Sequence, residues 1–187
     1  MTEIIAKKIT VKEFQKMEFP DNDLFIYELI NGELMKKQAP KPLHQQVSRR
    51  ISAAFETFLK EKPVGVFFYS PIDVFFDDYN RSQPDLLFIS DDRSFIVDLE
   101  NGIMGAPDLI VEIISPSSIK MDRFDKKEMY KIFAIKEYWL VDPKNQTVEI
   151  YAFQHDDYAL HQFLEMEGVV ESTIMKGLDM DIKTIFS

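Results

Sequence analysis

Two short apolar segments of the sequence, residues 83–89 and 106–114, contain carboxylates at positions where a buried strand would normally exclude them. Asp85 lies in the first segment and Glu112 in the second. Because side chains alternate between the two faces of a strand, Glu112 is flanked on its own face by isoleucines rather than by polar residues. An ionised carboxylate in such surroundings costs several kcal/mol, roughly, unless a cation or several hydrogen-bond donors contact it. The two acids therefore indicate a cation site.

The chemistry of such a site depends on which groups join the two acids. If their strands are neighbours, Asp85 and Glu112 could share one hard divalent cation such as Mg²⁺, which polarises phosphoryl oxygens and lowers the pKa of water. Lys126 is a candidate for stabilising the developing charge, because it follows the Glu112 strand and recurs with Asp122 and Tyr130 at four-residue spacing. The same spacing is typical of a surface ion pair between Asp122 and Lys126, worth at most about half a kcal/mol.

The composition excludes several classes of protein. The chain has 187 residues, of which 45% are hydrophobic and 29% charged, as is typical of one soluble globular domain. It contains no cysteine, so disulfides, thiol catalysis and cysteine zinc sites are excluded, and a reducing compartment is favoured. No apolar run approaches the ~18 residues of a membrane span, and residues 1–8 lack the apolar core of a signal peptide. We therefore expect a cytoplasmic protein without a membrane partner.

Charge is distributed unevenly along the chain. The net charge of −10 opposes non-specific binding of nucleic acid, since most of that binding comes from neutralising phosphates. Residues 36–50, however, hold five basic residues and no acid, and residues 120–136 hold six basic residues against three acids. These stretches are equally compatible with a solvated helix surface and with a surface that faces phosphates.

The order of predicted elements is that of an α+β domain without repeats or linkers. A capping-box pattern from Thr10 to Glu13 begins a short helix, which the polar cluster at residues 20–23 ends. The pair Asn31-Gly32 is the strongest short hairpin signal. Further helices are predicted from 42 to a break near 63 and from 119 to 135, and strands are predicted at 24–30, 33–37, 64–69, 72–76, 86–89, 109–114, 137–142, 147–153 and 158–163.

These elements predict a mixed central sheet flanked by helices. Residues 64–69 and 72–76 read as a strand pair, and the Asp85 and Glu112 segments supply the central strands. The strand, helix and strand across residues 109–142 imply a right-handed crossover between parallel strands. The last strands then form an antiparallel C-terminal meander. Three aromatic residues of the crossover helix are predicted to face the sheet: Phe124, Tyr130 and Phe133.

Several motifs follow one another in a specific order along the chain. They are YELINGEL at 27–34, His44-Gln45, QPDL at 83–86, GAPDLIVEIISPSS at 105–118, Asp122, Lys126, Tyr130 and EYWLVDP at 137–143. In this combination they resemble the Uma-type restriction endonucleases, a branch of the PD-(D/E)xK nuclease superfamily. The resemblance covers about residues 24–185, nearly the whole chain, and no single motif is specific by itself.

The resemblance implies a fold, an activity and a set of metal ligands. The fold would be a single domain over residues 1–187, with a restriction-endonuclease-like α/β core at 24–185 after an N-terminal helical extension. The activity would be Mg²⁺-dependent hydrolysis of phosphodiester bonds in DNA, with Mn²⁺ able to substitute, commonly by a homodimer. Asp85 would be the aspartate of the PD motif and Glu112 the second acid, with the backbone carbonyl of Ile113 as a further ligand.

The chain departs from the superfamily pattern at one catalytic position. The superfamily lysine would stand two residues after Glu112, where this chain has Ile114. The Uma branch instead resembles this chain in having a lysine on the following helix, so we assign the role to Lys126. By the same resemblance, Glu33 would be the N-terminal acid that orders water at the metal. His44 matches the histidine at the start of the helix in the same family. Its position is equally compatible with a structural histidine whose hydrogen bonds are satisfied at a helix N-terminus and with a residue that contacts the substrate.

Two other acids lie near these motifs. Asp108 follows Pro107 at a strand entrance, which is more typical of a turn or cap residue than of a ligand for a second ion. By the same reasoning we predict that Asp73 has a structural role or lies near the metal without binding it directly.

Three functional interpretations follow. The first is a Mg²⁺-dependent endonuclease that uses the acids, Lys126 and His44. The second is a catalytically inactive nuclease fold that binds nucleic acid or protein, which the net acidity and Ile114 both favour. The third is a structural oligomeric protein whose paired acids are satisfied by Arg81, Arg93 or lysines. The first predicts binding of a divalent cation and the third predicts none.

Overall fold

Two mixed sheets, each of six strands, form the framework of the protein. The computed structural model describes residues 7–20 and 24–187, so the predicted turn at 20–23, except for Pro20, and most of the N-terminal segment 1–8 lie outside the described residues. The strands are β1 (Phe25–Ile30), β2 (Glu33–Gln38), β3 (Gly65–Tyr69), β4 (Val74–Phe75), β5 (Arg81–Ser82), β6 (Leu86–Ser90), β7 (Val97–Asp98), β8 (Gly102–Met104), β9 (Leu109–Ile113), β10 (Glu137–Asp142), β11 (Thr147–Gln154) and β12 (Asp157–Glu165). The helices are α1 (Val11–Phe14), α2 (Pro42–Glu61), α3 (Lys127–Ile132) and α4 (Ile182–Phe186).

The strands of the two sheets alternate along the first half of the chain, and the last four strands all belong to one sheet. Sheet 1 has the order β2-β1-β5-β4-β8-β7, and sheet 2 has the order β12-β11-β10-β9-β6-β3. The pairs β4–β8 and β9–β10 are parallel, while the other pairs are antiparallel. The predicted mixed sheet with its C-terminal meander is thus confirmed as sheet 2. No helix in the described part of the chain has both the length and the apolar character needed to cross a membrane.

The hairpin of β1 and β2 forms as its turn residues predict. Asn31 and Gly32 both have positive φ angles, 52° and 77°, as a two-residue hairpin turn requires. The register places Glu28 opposite Met35, and Lys37 lies two residues further along β2. Because residues that are directly opposite, or two apart, share a face, Glu28 and Lys37 lie on the same side of sheet 1.

Strands β6 and β9 lie side by side in sheet 2, which meets the condition on which the shared cation site depends. They run antiparallel with Leu86 opposite Val111, so Asp85, which precedes β6, lies beside Glu112. Alternation along β9 sends Val111 into a core that is shared with α2, while Ile110 lies in a second core on the opposite face. Glu112 therefore lies on the face of β9 that contributes to this second core. The sequence-based prediction of a carboxylate on an apolar face of a buried strand is confirmed.

The predicted pairing of residues 64–69 with residues 72–76 is wrong. Strand β3 pairs with β6, whereas β4 pairs with β5 and β8 in the other sheet. The two residues between the predicted strands are Ser70 and Pro71, which lack the glycine or asparagine that a two-residue hairpin needs for positive φ. The chain therefore leaves sheet 2 at this point and enters sheet 1.

The crossover helix also differs from its prediction. It contains a π-helical turn at Met121–Lys126, continues as α3 and ends before Ala134, which adopts a left-handed conformation with φ 52°. Phe124 was predicted to face the sheet but is 65% exposed. The wider π turn directs Asp122 and Lys126 inward instead, and both are buried. Such turns occur frequently at functional sites.

A buried glutamate on β10 ties the C-terminal segment to sheet 2. Glu137 is fully buried. Its Oε1 accepts hydrogen bonds from Trp139 Nε1 at 2.6 Å and Ser172 Oγ at 2.7 Å. Its Oε2 accepts from the backbone N of Thr173 at 2.6 Å and also from the Thr173 hydroxyl. The carboxylate thus replaces hydration with four hydrogen bonds, as a buried charge requires.

Replacing Glu137 with alanine should lower the free energy of unfolding by about 2–4 kcal/mol, because buried donors lose their acceptor. Urea unfolding followed by far-ultraviolet circular dichroism measures the change. Glu171→Ala is the matched control, since Glu171 is exposed in the same segment, and it should leave the stability nearly unchanged. Equal stability of the two variants would contradict the role of Glu137.

Candidate functional site

Four carboxylates from four separate elements meet between the two sheets. Glu28 comes from β1, Asp85 from the residue before β6, Glu112 from β9 and Asp122 from the π-helical turn. Their residues are between 0% and 4% exposed. We call these four acids, together with the two lysines that contact them, the carboxylate–lysine cluster. Acids are almost never fully buried without partners, so the lysines decide whether this arrangement is stable.

The ammonium group of Lys126 lies at the centre of the cluster. Its Nζ is 2.8 Å from Glu112 Oε1, 2.9 Å from Glu28 Oε1 and 3.9 Å from Asp122 Oδ1. Lys126 is fully buried, so the alternative of a surface ion pair with Asp122 is wrong. Burial by itself lowers the pKa of Lys126, but the surrounding carboxylates raise that pKa well above its ordinary value. Lys126 is therefore a fixed positive charge rather than a proton acceptor.

A second lysine joins the cluster from the hairpin. Lys37 Nζ lies 3.8 Å from Glu28 Oε1 and 3.8 Å from Glu112 Oε2, and it donates a hydrogen bond to the backbone carbonyl of Gln83 at 3.3 Å. Its side chain is 8% exposed, whereas that of Lys126 is 0% exposed. Solvent therefore reaches the cluster from the side of Lys37.

Asp85 is held by the start of α2 and by the end of β9. Its Oδ2 accepts hydrogen bonds from Ile113 N at 2.7 Å and from His44 Nε2 at 3.0 Å. Burial by itself raises the pKa of Asp85, but Lys37, His44 and the Ile113 N–H outweigh burial and lower the pKa to about 2. Burial likewise lowers the pKa of His44, yet its bond to Asp85 raises it above the ordinary value. His44 Nδ1 is buried without a hydrogen-bond partner.

Glu112 has a pKa that burial shifts towards neutrality. Burial raises its pKa to about 7, and the charges of Lys126 and Lys37 offset this only in part. Burial also raises the pKa of Glu28, but Lys126 and Lys37 outweigh it and lower the pKa below its ordinary value. Tyr130 donates a hydrogen bond from its hydroxyl to Glu112 Oε1 at 2.7 Å. Glu112 thus exchanges a proton near neutral pH while its neighbour Glu28 stays ionised.

The cluster retains unused oxygen atoms of the kind that hard divalent cations prefer. Glu28 Oε2, Glu112 Oε2 and Asp122 Oδ1 are buried and accept no hydrogen bond. With every acid ionised, the four carboxylates exceed the two ammonium groups by two negative charges. Among residues 7–20 and 24–187, no three acidic or histidine side chains are already arranged around one point as metal ligands. The two lysines lie among the cluster acids. Donor type and charge fit a divalent cation.

The structure brings Asp85, Glu112, Lys126 and His44 together but does not bring Glu33 into contact with them. Glu33 is exposed at the start of β2, where it lines a cavity of about 980 Å³ between the hairpin and the crossover helix. None of the cluster residues lines that cavity. The N-terminal acid of the cluster is instead the buried Glu28, which lies on β1, the other strand of the same hairpin.

The other acids considered in the sequence have different partners. Asp108 Oδ2 accepts from the N and Oγ of Ser90 at 2.9 and 2.8 Å, and its Oδ1 lies 3.2 Å from Arg93 Nη1. Arg81 donates to Asp73. The two arginines of the structural interpretation therefore pair with these acids, and within the described ranges neither pairs with an acid of the cluster. Lysines, the other partners that this interpretation named, do contact the cluster acids.

Sequence reasoning missed Glu28 and Lys37. Glu28 lies in the apolar run Tyr27 to Ile30, so it carried the same signal as Glu112, a carboxylate inside a buried strand. Lys37 carried no such signal, because a lysine near the end of a hairpin strand is ordinarily exposed. Only the packing of one sheet against the other buries it.

Comparisons with known proteins bear on the fold of the chain as a whole. A family model described as "Uma2: Putative restriction endonuclease" matches residues 11–183. A crystal structure described as a putative nuclease belonging to DUF820 from Anabaena variabilis ATCC 29413 aligns with a TM-score of 0.74 at 23% identity, covering 95% of this chain and 97% of that chain. No curated protein matches the chain. The structural likeness confirms the predicted fold.

Replacing Lys126 with methionine should lower the free energy of unfolding by about 3–5 kcal/mol, because removing one partner leaves buried carboxylates without their counter-charge. Urea unfolding at pH 8, where Glu112 is ionised, measures the loss. Lys120→Met is the control, since Lys120 is exposed just before the same π turn. If both variants unfold at the same urea concentration, Lys126 does not hold the cluster together.

Proposed function

This chain belongs to the family described as "Uma2: Putative restriction endonuclease", and from that premise we propose that it is a divalent-cation-dependent endonuclease acting on phosphodiester bonds in DNA. The observation that carries the proposal is the carboxylate–lysine cluster, in which four buried carboxylates face only two lysines and three carboxylate oxygens accept no hydrogen bond. A structural ion-pair network would be expected to balance its charges, since buried unpaired charge is costly.

We propose Mg²⁺ as the ion, with Mn²⁺ able to substitute. Asp85 and Glu112 would hold it, with the backbone carbonyl of Ile113 as a further oxygen ligand. When bound, such an ion polarises the phosphoryl group and lowers the pKa of the attacking water. The support is the donor chemistry: an unused Glu112 oxygen, and an Asp85 carboxylate that stays ionised at neutral pH.

The protein groups around these acids would then supply positioning and charge. Lys126 is permanently protonated, so it would stabilise the negative charge that builds up on the phosphoryl oxygens rather than accept a proton. Glu28 would hold that ammonium group in place through its 2.9 Å contact. His44 and Lys37, on the solvent side of the cluster, would contact the incoming phosphate.

A second candidate function is a catalytically inactive nuclease fold that binds nucleic acid or protein. It is favoured by Ile114, which stands where the superfamily places its lysine, and by the net charge of −10. The two candidates differ in one assay, because only the enzyme cuts supercoiled plasmid in the presence of Mn²⁺. A homodimer stays a prediction from the family resemblance, and light scattering after gel filtration would measure it.

Glu28→Gln should reduce plasmid cleavage by about 10- to 100-fold, because it removes the counter-charge that positions Lys126. Asp85→Asn and Glu112→Gln should reduce it further, since they remove ligands of the ion. Glu33→Gln decides between the two N-terminal acids, and we expect it to cut at nearly the wild-type rate. A larger loss in Glu33→Gln than in Glu28→Gln would return the role to Glu33. Wild-type protein as inactive as Glu112→Gln would favour the binding module.

Binding of Mn²⁺ should strengthen as the pH rises from 6 to 8. Below its pKa of about 7, Glu112 carries a proton that the ion must displace, so the affinity falls by about tenfold per pH unit there and levels off above it. Isothermal titration in buffers of different ionisation enthalpy measures both the affinity and the released proton. Affinity that is constant across this range, or binding retained by Glu112→Gln, would show that the ion binds elsewhere.

A further inference from the structure

The first half of α2 is a basic region in an acidic protein. The chain has a net charge of −10, yet residues 41–50, which are the N-cap and first half of α2, contain three basic residues and no acid. Along α2 itself the first acid is Glu56, in the fourth turn. Most of the protein surface would repel a polyanion. Any nucleic acid must therefore be held at a place where cations outnumber acids locally.

Three exposed residues at four-residue spacing form a ridge on this part of the helix. They are Lys41, at the N-cap, Gln45 and Arg49, and we call them the α2 ridge. The opposite face of the helix carries the buried residues Val47 and Ile51, so the ridge points away from the core. At a rise of about 1.5 Å per residue, Lys41 and Arg49 are separated by about 12 Å along the helix axis.

Both cations of the ridge are available to a ligand. Within the described part of the chain, neither Lys41 nor Arg49 forms an ion pair or a side-chain hydrogen bond. By contrast, Lys60 at the other end of α2 contacts Glu56 at 3.3 Å. Unpaired cations on a rigid helix bind phosphate without first breaking a protein contact.

The ridge is continuous with the solvent side of the carboxylate–lysine cluster. His44 lies between Lys41 and Gln45 in the first turn of α2, and its Nε2 contacts Asp85 at 3.0 Å. The His44 side chain is 11% exposed, so the cluster reaches solvent at this end of the helix. The ridge and this opening therefore lie in the same first turns of α2.

We propose that the α2 ridge binds the phosphate backbone of duplex DNA and aligns it with the carboxylate–lysine cluster. This role rests on the proposed nuclease function and names the surface that grips its substrate. With phosphates about 3.4 Å apart along the axis of one strand, a ridge of about 12 Å spans roughly three of them. Because phosphates carry no sequence information, the ridge contributes affinity and register, not base specificity.

Fluorescence anisotropy with a short labelled duplex, in EDTA so that nothing is cut, tests the ridge across about 50–200 mM KCl. Lys41→Gln and Arg49→Gln should each make the slope of log affinity against log salt shallower by about 1, and each should weaken binding of every duplex sequence alike. Lys60→Gln is the matched control, since it removes the same charge from the same helix, and it should bind as the wild type does.

The outcomes separate the ridge from the nuclease itself. The proposed role of the ridge is overturned if Lys41→Gln and Arg49→Gln bind DNA as tightly as Lys60→Gln does. It is also overturned if all three variants are weakened equally. If plasmid cleavage by the wild type persists in that case, the proposed function stands. A wild type that neither binds nor cuts DNA overturns both. Tighter, ridge-dependent binding of an RNA duplex overturns DNA as the partner.

Discussion

The buried ammonium group of Lys126 connects two carboxylates that belong to different sheets. Glu28 lies in sheet 1 and Glu112 in sheet 2, and Lys126 Nζ is within 3 Å of an oxygen of each. None of these three side chains could be buried alone, because the desolvation of an isolated charge costs several kcal/mol, roughly. The contact therefore fixes how the sheets meet, and the rest of the cluster depends on that arrangement.

The same cluster is satisfied only partly by protein groups. Two lysines face four carboxylates, three carboxylate oxygens accept no hydrogen bond, and burial raises the pKa of Glu112 to about 7. In a low-dielectric site, an acid that cannot be neutralised by a neighbour keeps a proton instead. At neutral pH a proton thus neutralises the charge that a divalent cation would neutralise when bound. A proton and a divalent cation would therefore compete for the same site.

Part of this site could be predicted from the sequence, because Asp85 and Glu112 each interrupt an apolar strand. That the two strands are neighbours was a condition of the prediction, and the structure meets it. Lys126 was identified through family resemblance, since its spacing alone favoured a surface ion pair with Asp122. Glu28 and Lys37 were missed because their burial depends on the contact between two sheets, which no local pattern encodes. The π turn was missed for a related reason: the inward direction of Asp122 and Lys126 follows from partners on other elements.

The central claim is that the carboxylates of this cluster form a site for one divalent cation. Crystals grown with Mn²⁺ and measured at its absorption edge test the claim directly, because the anomalous signal locates the ion without assuming its ligands. The account predicts one strong peak bounded by Asp85, Glu112 and the Ile113 carbonyl. A well-ordered cluster without a peak, or a peak only at acids elsewhere in the protein, would contradict it.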